Sequence, residues 1–318
     1  MLIDALGLIA GLIALFLGGE WLVKGAARLA RSLGVSPMII GLTIVAIGTS
    51  MPELLVSVGA AISGSSDLSI GNIVGSNIAN IGLILGLAAL IYPISVHVTL
   101  VRREIPIMIL VALLAYFLFR DGLISARNGI VLLVGLVAFI SFMVYSARRQ
   151  RQENNNQLSL EDEIELQAIK RGREIIRVIA GIVILMMGAQ LTVGGAVGLA
   201  RALGVSELVI GITLIAFGTS LPELVTTLVG ALRKQSDLAL GNVVGSNIIN
   251  ILAVLGMTAV VRPIQVSEQI VYFDGLVMLG FSLLLLPFVA NRRLSRWEAA
   301  FFVIAYVVYV ITLFTLTR

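Results

Sequence analysis

A duplicated apolar segment constrains this chain more than any other feature of its sequence. Gly-Leu-Thr-Ile-Val-Ala-Ile-Gly-Thr-Ser-Met-Pro-Glu at residues 41–53 returns as Gly-Ile-Thr-Leu-Ile-Ala-Phe-Gly-Thr-Ser-Leu-Pro-Glu at residues 211–223. Gly-Asn-Ile-Val-Gly-Ser-Asn-Ile-Ala-Asn at 71–80 returns as Gly-Asn-Val-Val-Gly-Ser-Asn-Ile-Ile-Asn at 241–250, at the same offset of 170 residues. Across both motifs the two copies share 25 identities in 47 positions without a gap. The duplication predicts two related halves, each with one Glu inside an apolar stretch.

The composition is that of an integral membrane protein. Hydrophobic residues make up 58% of the chain, charged residues only 13%, and the mean hydropathy is +1.05. Apolar segments of about 20 residues predict spanning helices and not a barrel, whose strands would show alternating segments of about ten residues. The absence of cysteine excludes disulfides and thiolate chemistry. The basic balance is expected to mark cytoplasmic loops, so we expect the lipid bilayer as partner and no nucleic acid.

The fold class that follows is an all-α integral membrane protein of ten transmembrane helices. Breaks in hydropathy at Gly, Pro and charge clusters place these helices at approximately 4–31, 37–63, 69–91, 104–119, 123–146, 174–200, 207–232, 239–260, 269–290 and 296–316. We read the first as a spanning helix and not as a signal peptide, because it has no basic start or cleavage site. The predicted organisation is a five-helix repeat at 1–147, a polar connector at 148–173 and a second five-helix repeat at 174–318.

The basic residues predict the orientation. With both termini outside the cytoplasm, 17 Lys and Arg residues fall on the inner side and five on the outer side, as the positive-inside rule requires. The connector is then cytoplasmic. Because each half has an odd number of helices, the second half is inserted in the opposite direction. The predicted duplication is therefore an inverted repeat, whose shared site is expected near the bilayer midplane.

The two motif carboxylates are the main candidate site residues. Glu53 and Glu223 lie deep in their predicted helices, where an ionised side chain costs about 2.5–3.5 kcal/mol on insertion scales. Neither motif contains Lys or Arg, so each acid is either protonated or neutralised by a cation. A neutral, hydrogen-bonded carboxyl in a helix bundle is the structural alternative. Because the feature is duplicated, we favour a cation site.

Proline and hydroxyl residues next to these acids predict further oxygen ligands. Pro52 has no N–H to donate to Gly48, so its helix is expected to open at Gly48–Ser50 and free main-chain carbonyls, and Pro222 repeats the pattern. In the second motifs, polar residues recur at i, i+4 and i+8 and form one stripe on each helix. The stripes comprise Asn72, Ser76 and Asn80 in one half and Asn242, Ser246 and Asn250 in the other. For Asn72 and Asn242 the sequence allows two roles, as ion ligands or as interhelical hydrogen-bond residues.

Oxygen ligands without Cys or a motif His indicate Na⁺, Ca²⁺ or a similar ion. Ca²⁺ takes about six to eight oxygens, which two bidentate Glu and the carbonyls of Thr49 and Thr219 would begin to supply. Two carboxylates are neutralised by one Ca²⁺ or by two Na⁺. One pocket could therefore hold either species in turn, which is how an antiporter couples two ions.

These motifs closely resemble the sodium/calcium exchangers of the calcium/cation antiporter superfamily, prokaryotic type, over nearly the whole chain. The resemblance implies secondary antiport of Ca²⁺ against Na⁺ in a prokaryotic inner membrane, without a cofactor or enzymatic activity. It implies that Glu53 and Glu223 bind Ca²⁺ with the Thr49 and Thr219 carbonyls. It also implies flanking Na⁺ sites from Ser50, Ser76, Ser220, Ser246 and the carbonyls of Ala46 and Ala216.

One departure from the family bears on the counter-ion. Some members carry Asp at one of the positions that Asn80 and Asn250 occupy here, so this site has two acids instead of three. A Ca²⁺/H⁺ antiporter that uses the same Glu residues as proton carriers is the alternative. A channel would usually place its filter on an oligomer axis, and no HExxH or GxSxG motif supports an intramembrane enzyme. A monomer suffices, because one chain carries both halves of the site.

Overall fold

A computed structural model describes residues 1–155, 170–203 and 216–316. The first half contains α1 (Leu2–Leu33), α2 (Pro37–Thr49), α3 (Met51–Ile62), α4 (Ser66–Ile91), β1 (Ile94–Ser95), α5 (Ile105–Phe119), β2 (Leu123–Ile124) and α6 (Ala126–Asn155). The rest contains α7 (Arg171–Ala202), α8 (Ala216–Gly218), α9 (Leu221–Leu232), α10 (Ser236–Val261), β3 (Ile264–Gln265), α11 (Ile270–Phe288), β4 (Arg293–Leu294) and α12 (Arg296–Leu316).

The protein is an all-helical membrane protein. Within the described ranges, seven helices are long and apolar enough to cross a membrane, or eight if the bent pair α2–α3 is one span. The predicted helix boundaries agree with the structure to within a few residues for most elements. The count of ten spans stays a prediction, because α5 and α9 are short and the predicted helix at 207–232 lies outside the described residues as far as 215.

Helix ends follow local chemistry. After α1, Gly34 adopts a φ of 70°, a left-handed conformation that favours glycine, and its N–H caps the helix. Pro37 occupies the first turn of α2, where its missing N–H costs no helical bond. α6 continues to Asn155, beyond the predicted end at 146, and Gln150 Oε1 accepts a 2.8 Å hydrogen bond from Ser36 N. The acidic run at 161–163 lies outside the described residues.

α4 and α10 form the centre of the molecule. Their most apolar windows are 78% and 89% buried, whereas no other single spanning helix exceeds 44%. The largest apolar core surrounds these two helices and includes Ile73, Ile78, Val244 and Ile248. Since the second repeated motifs lie on α4 and α10, their polar stripes are inside the bundle and not on its lipid face.

Two antiparallel strand pairs connect loops from the two halves. β1 pairs with β4, and Ile94 lies opposite Leu294; β2 pairs with β3, and Ile124 lies opposite Ile264. Each of these four apolar side chains is fully buried. These two-residue strands are not predicted by the sequence, because no local pattern identifies a partner so far away in the chain.

Outer helices α1 and α7 pack closely along a line of glycines. On α1 the glycines recur at residues 11, 18 and 25, and on α7 at residues 181, 188 and 195. A Cβ atom on Gly188 would lie 2.7 Å from the Leu15 nitrogen, and one on Gly18 would lie 2.8 Å from the Leu185 nitrogen. Only glycine permits this backbone approach, so the two helices form one tightly packed antiparallel pair.

Candidate cation site

The first motif carboxylate lies directly after a break in its helix. α2 and α3 meet at 41°, and Ser50 between them has φ −81° and ψ 5°. Pro52 is in the first turn of α3, where a helix does not need its N–H. The predicted opening at Gly48–Ser50 is therefore confirmed at Ser50. Glu53 is in the same first turn and is only 1% exposed.

The second carboxylate has the same local setting. Ser220, with φ −90° and ψ 9°, precedes α9, and Pro222 is in the first turn of that helix. Glu223 follows and is fully buried. Both acids are therefore at the start of a helix, where the partial positive charge of unpaired N–H groups favours an anion.

The two motifs face each other and exchange hydrogen bonds. Ser220 Oγ donates to Glu53 Oε1 over 3.0 Å, and Ser50 Oγ donates to Glu223 Oε1 over 3.3 Å. The second carboxylate oxygen of each Glu is buried and has no hydrogen-bond partner. Two acceptor oxygens thus remain available inside the bundle, although buried polar groups normally find partners.

The described basic side chains do not pair with these acids. Among the residues that the structure describes, neither Glu53 nor Glu223 forms an ion pair with Lys, Arg or His. In the same part of the chain there is also no cluster of three or more His, Cys, Asp or Glu side chains that could hold a metal. The side chains that surround Glu53 and Glu223 in hydrogen bonds are uncharged hydroxyls.

Asn72 connects the two halves through its amide. Its oxygen accepts a 3.3 Å hydrogen bond from Thr219 Oγ1, and its nitrogen donates to Ser57 Oγ over 2.9 Å. The nitrogen also lies 3.3 Å from the main-chain oxygen of Glu53. With these bonds made, the Asn72 side chain holds other site residues in position.

Asn242 makes the equivalent contacts in the other half. Its oxygen accepts a 3.2 Å hydrogen bond from Thr49 Oγ1, and its nitrogen donates to Thr227 Oγ1 over 3.2 Å. Asn72 and Asn242 thus both hydrogen-bond between helices, which is one of the two roles that the sequence allows for them. Sequence reasoning missed Ser57 and Thr227, although they occupy equivalent positions one turn after each Glu.

Serines of the central helices lie beside the exchanged hydrogen bonds. Ser76 Oγ on α4 is 3.3 Å from Ser220 Oγ, and Ser76 is 5% exposed. Ser246 on α10 is fully buried, and its hydroxyl has no hydrogen-bond partner. Both central helices thus contribute a buried hydroxyl. The Ser76 hydroxyl has a hydrogen-bond partner, whereas the Ser246 hydroxyl has none among the described residues.

The last predicted side chains, Asn80 and Asn250, each begin a π-helical segment. These segments are Asn80–Leu85 in α4 and Asn250–Leu255 in α10, and such segments occur frequently at functional sites. Asn80 Nδ2 donates to Asn247 Oδ1 over 3.0 Å, whereas both amide atoms of Asn250 lack a partner. Sequence reasoning did not single out Asn77 and Asn247, although both belong to the repeated Gly-Ser-Asn motif.

The serines at the two helix breaks donate their amide N–H to different main-chain acceptors. Ala46 O accepts a 3.0 Å hydrogen bond from Ser50 N, which closes the last turn of α2. In the second half, Ser220 N donates instead to Phe217 O over 3.2 Å. Ala216 begins α8, and its side chain lies outside the described part of the structure. The two helix breaks are thus similar in position but differ in hydrogen bonding.

Close helix crossing brings this site together. A Cβ atom on Gly241 of α10 would lie 2.7 Å from Met38 O, and one on Gly41 of α2 would lie 2.7 Å from Leu238 O. A Cβ atom on Gly245 would likewise meet the Leu42 Cα at 2.7 Å. Side chains at Gly241 and Gly245 would therefore separate α2 from α10. The repeat also predicts close packing at the equivalent Gly71 and Gly75 of α4. Within the described part of the structure this is wrong, because a Cβ atom at either position would meet nothing within 4 Å.

A polytopic helical protein with two unneutralised, buried carboxylates has the features of a cation transporter. The family model described as "Sodium/calcium exchanger protein" matches residues 3–145 and 174–315. The chain belongs to this family. It is accordingly a cation/Ca²⁺ antiporter and not an enzyme.

Curated relatives and solved structures agree with this membership. The chain is 36% identical over 352 residues to the sodium/calcium exchanger MaX1 of Methanosarcina acetivorans, covering 98% of this chain and 99% of that protein. It is 40% identical over 286 residues to the inner membrane protein YrbG of Escherichia coli, covering 89% and 88%. A structure of the sodium-calcium exchanger NCX_Mj superposes with a TM-score of 0.85 at 35% identity, covering 98% and 99%.

Proposed function

We propose that this protein exchanges Ca²⁺ for Na⁺ across the membrane at the site between the two Glu motifs. The exchanged hydrogen bonds between Ser220 and Glu53 and between Ser50 and Glu223 carry this proposal, together with the unpartnered second oxygen of each acid. Each carboxylate thus contacts a hydroxyl of the other half through one oxygen and keeps a second, unsatisfied oxygen, and neither acid has a basic partner in the described part of the chain. A cation bound there would satisfy the oxygens and neutralise the charge.

Within this site we assign Ca²⁺ to the carboxylates. Glu53 and Glu223 would bind Ca²⁺ with the main-chain oxygens of Thr49 and Thr219, and hard oxygen ligands suit this ion. Flanking Na⁺ ions would bind hydroxyl and carbonyl oxygens. The residues assigned to them are Ser50, Ser76, Ser220, Ser246, Ala46 and Ala216, and Asn80 and Asn250 complete the polar lining.

The transport mechanism we propose is alternating access around a fixed site. The architecture would be ten helices in two inverted repeats, at 1–147 and 174–318, with a cytoplasmic connector at 148–173. The two separate segments matched by the family model support this division. α1 and α7, which pack closely on each other, would move as a unit against the remaining bundle.

We place both termini outside the cytoplasm and the functional unit as a monomer in a prokaryotic inner membrane. The distribution of Lys and Arg supports the orientation. The name of the E. coli relative, an inner membrane protein, supports the location. A single chain supplies both carboxylates and both exchanged hydroxyls, which supports a monomer.

The second candidate is Ca²⁺/H⁺ antiport with Glu53 and Glu223 as proton carriers. The two acids of the site support this function, because each could release one proton when Ca²⁺ binds, so that two protons would be exchanged for one Ca²⁺. The two functions differ in their requirement for Na⁺.

We would measure ⁴⁵Ca²⁺ uptake into proteoliposomes loaded with Na⁺ or with choline at matched pH. Uptake that depends on the Na⁺ gradient and is lost in Glu53→Gln and Glu223→Gln is the expected result. Uptake that ignores Na⁺ but follows a pH gradient would replace Na⁺ with H⁺. Full transport in both variants would contradict the proposal that Ca²⁺ binds at this site.

Glu268→Gln is the matched control, because this exposed carboxylate lies in the loop between β3 and α11. It changes the charge by the same amount as the site variants. It should leave the rate of ⁴⁵Ca²⁺ uptake unchanged.

A further inference from the structure

A groove of about 220 Å³ lies at the end of α1, away from the cation site. Four basic residues line it: Lys24, Arg28 and Arg31 from α1, and Arg233 from the turn after α9. The proposed orientation puts this groove at the cytoplasmic face. Nothing in the exchange of Ca²⁺ for Na⁺ requires a basic groove here.

The rule that basic residues lie on the cytoplasmic side explains their number here but not their convergence on one groove. Lys24, Arg28 and Arg31 are spaced i, i+4 and i+7, so they lie on one face of α1. Arg233 comes from the other half of the chain and faces the same groove. Orientation depends on how many basic residues a loop contains, not on their convergence from two elements.

Carboxylates hold these cations in place without covering them. Glu20, itself buried, lies 2.7 Å from Lys24 Nζ and 2.5 Å from Arg233 Nε. The Lys24 and Arg233 side chains nevertheless remain 55% and 50% exposed. Arg28 is 54% exposed and lies 3.7 Å from Glu174, which is already paired with Arg177 at 2.9 Å.

The surface next to the groove is apolar. Val23 and Ala27 line the groove beside the basic residues. Leu17 and Trp21, at i−7 and i−3 from Lys24, are 47% and 48% exposed on the same face of α1. If the phosphate of a phospholipid lay in the groove, the acyl chains of that lipid would therefore run along Trp21 and Leu17. This continuity distinguishes a phospholipid from a soluble phosphate.

We propose that this groove binds the phosphate headgroup of an anionic phospholipid. The headgroup would contact α1 and the turn between α9 and α10 at once. Basic pockets between transmembrane helices on the cytoplasmic side are the usual way in which proteins hold such headgroups. The lipid would bridge the α1–α7 pair and the central bundle. The proposal is independent of which ions the protein exchanges.

Trp21 provides a direct test, because the chain contains only two tryptophans. In a Trp297→Phe background, Trp21 is the only Trp, and its fluorescence can be quenched by brominated lipids. We expect brominated phosphatidylglycerol, mixed into phosphatidylcholine vesicles, to quench Trp21 at lower mole fractions than brominated phosphatidylcholine. Equal quenching by the two lipids would overturn the proposal.

Arg28→Gln tests the headgroup contact with little risk to folding, because Arg177 keeps Glu174 paired. It should raise the mole fraction of phosphatidylglycerol needed for half-quenching roughly fivefold, the effect of one basic side chain near an anionic surface. Arg28→Lys should restore most of the selectivity. Unchanged selectivity in Arg28→Gln combined with Lys24→Gln would contradict the site.

Arg127→Gln, at the exposed start of α6, is the matched control and should leave the selectivity intact. Inorganic phosphate separates the two possible sources of the ligand. If phosphatidylglycerol gives no selective quenching, while millimolar phosphate but not chloride changes the Trp21 fluorescence in vesicles of phosphatidylcholine alone, the groove binds free phosphate and the lipid proposal is wrong.

Discussion

Ser220 Oγ lies 3.0 Å from Glu53 Oε1, although the two residues are 167 positions apart in the chain. The same contact in the opposite sense joins Ser50 to Glu223. Each half of the molecule thus supplies the hydroxyl that contacts the carboxylate of the other half. Neither half by itself contains a complete site.

Removing one exchanged hydroxyl should affect the two ions differently. In Ser220→Ala we expect the Na⁺ concentration for half-maximal ⁴⁵Ca²⁺ exchange to rise about five- to tenfold, because one hydroxyl contributes about 1 kcal/mol. The Ca²⁺ concentration for half-maximal uptake should change little. Ser63→Ala, which removes an exposed hydroxyl at the end of α3, is the control. An equal loss of affinity for both ions would contradict separate Na⁺ and Ca²⁺ positions.

Ca²⁺ binding should stabilise the protein through the two carboxylates. At a free Ca²⁺ concentration of about 100 times Kd, binding to the folded state adds roughly 2.7 kcal/mol to its stability. We therefore expect Ca²⁺ to raise the melting temperature of detergent-purified protein. Glu53→Gln and Glu223→Gln should lose this rise, whereas Glu268→Gln should keep it. A Ca²⁺-dependent rise that survives in both site variants would place the ion elsewhere.

Asn72→Ala should destabilise the site in the absence of any ion. It removes the acceptor of the Thr219 hydroxyl and the donor to Ser57. Leaving the buried Ser57 hydroxyl without this donor costs about 1–3 kcal/mol, so the melting temperature in ion-free buffer should fall. The control is Asn291→Ala, an exposed amide whose oxygen accepts a hydrogen bond from the nearby Arg293 N in the loop before β4. A fall of the same size in the control would show that the effect is not specific to the site.

A side chain at the contact between α1 and α7 should separate the two helices. In Gly188→Ala the new methyl group would lie 2.7 Å from the Leu15 nitrogen, so the backbones must move apart, at a cost of about 1–3 kcal/mol. Gly280→Ala on α11 should have the opposite sign, because a Cβ there meets nothing within 4 Å. Alanine is favoured over glycine in a helix by about 1 kcal/mol. Melting temperatures of the two variants compare these effects directly.

Most secondary structure could be predicted from the sequence, because it depends on local patterns. Apolar runs of membrane-spanning length predicted α1, α4, α7 and α10 with ends close to those observed. Pro52 and Pro222 predicted the helix breaks, which occur at Ser50 and Ser220. The end of α6 was predicted too early. Hydropathy falls after residue 146, but the helix continues in polar sequence, and Gln150 bonds to the start of α2.

By itself, the sequence determined that the chain lies in a membrane, that its two halves are related, and that each carries one motif carboxylate inside an apolar run. These properties follow from composition, from the repeat offset and from the position of each acid within its apolar run. Only the tertiary structure decided that Ser220 contacts Glu53 and Ser50 contacts Glu223, that Asn72 and Asn242 join helices, and that Lys24 meets Arg233 across one groove. These contacts join segments that are distant in the chain, so they depend on how closely α1, α2 and α10 pack against their neighbours. The glycines at those helix crossings allow the close packing.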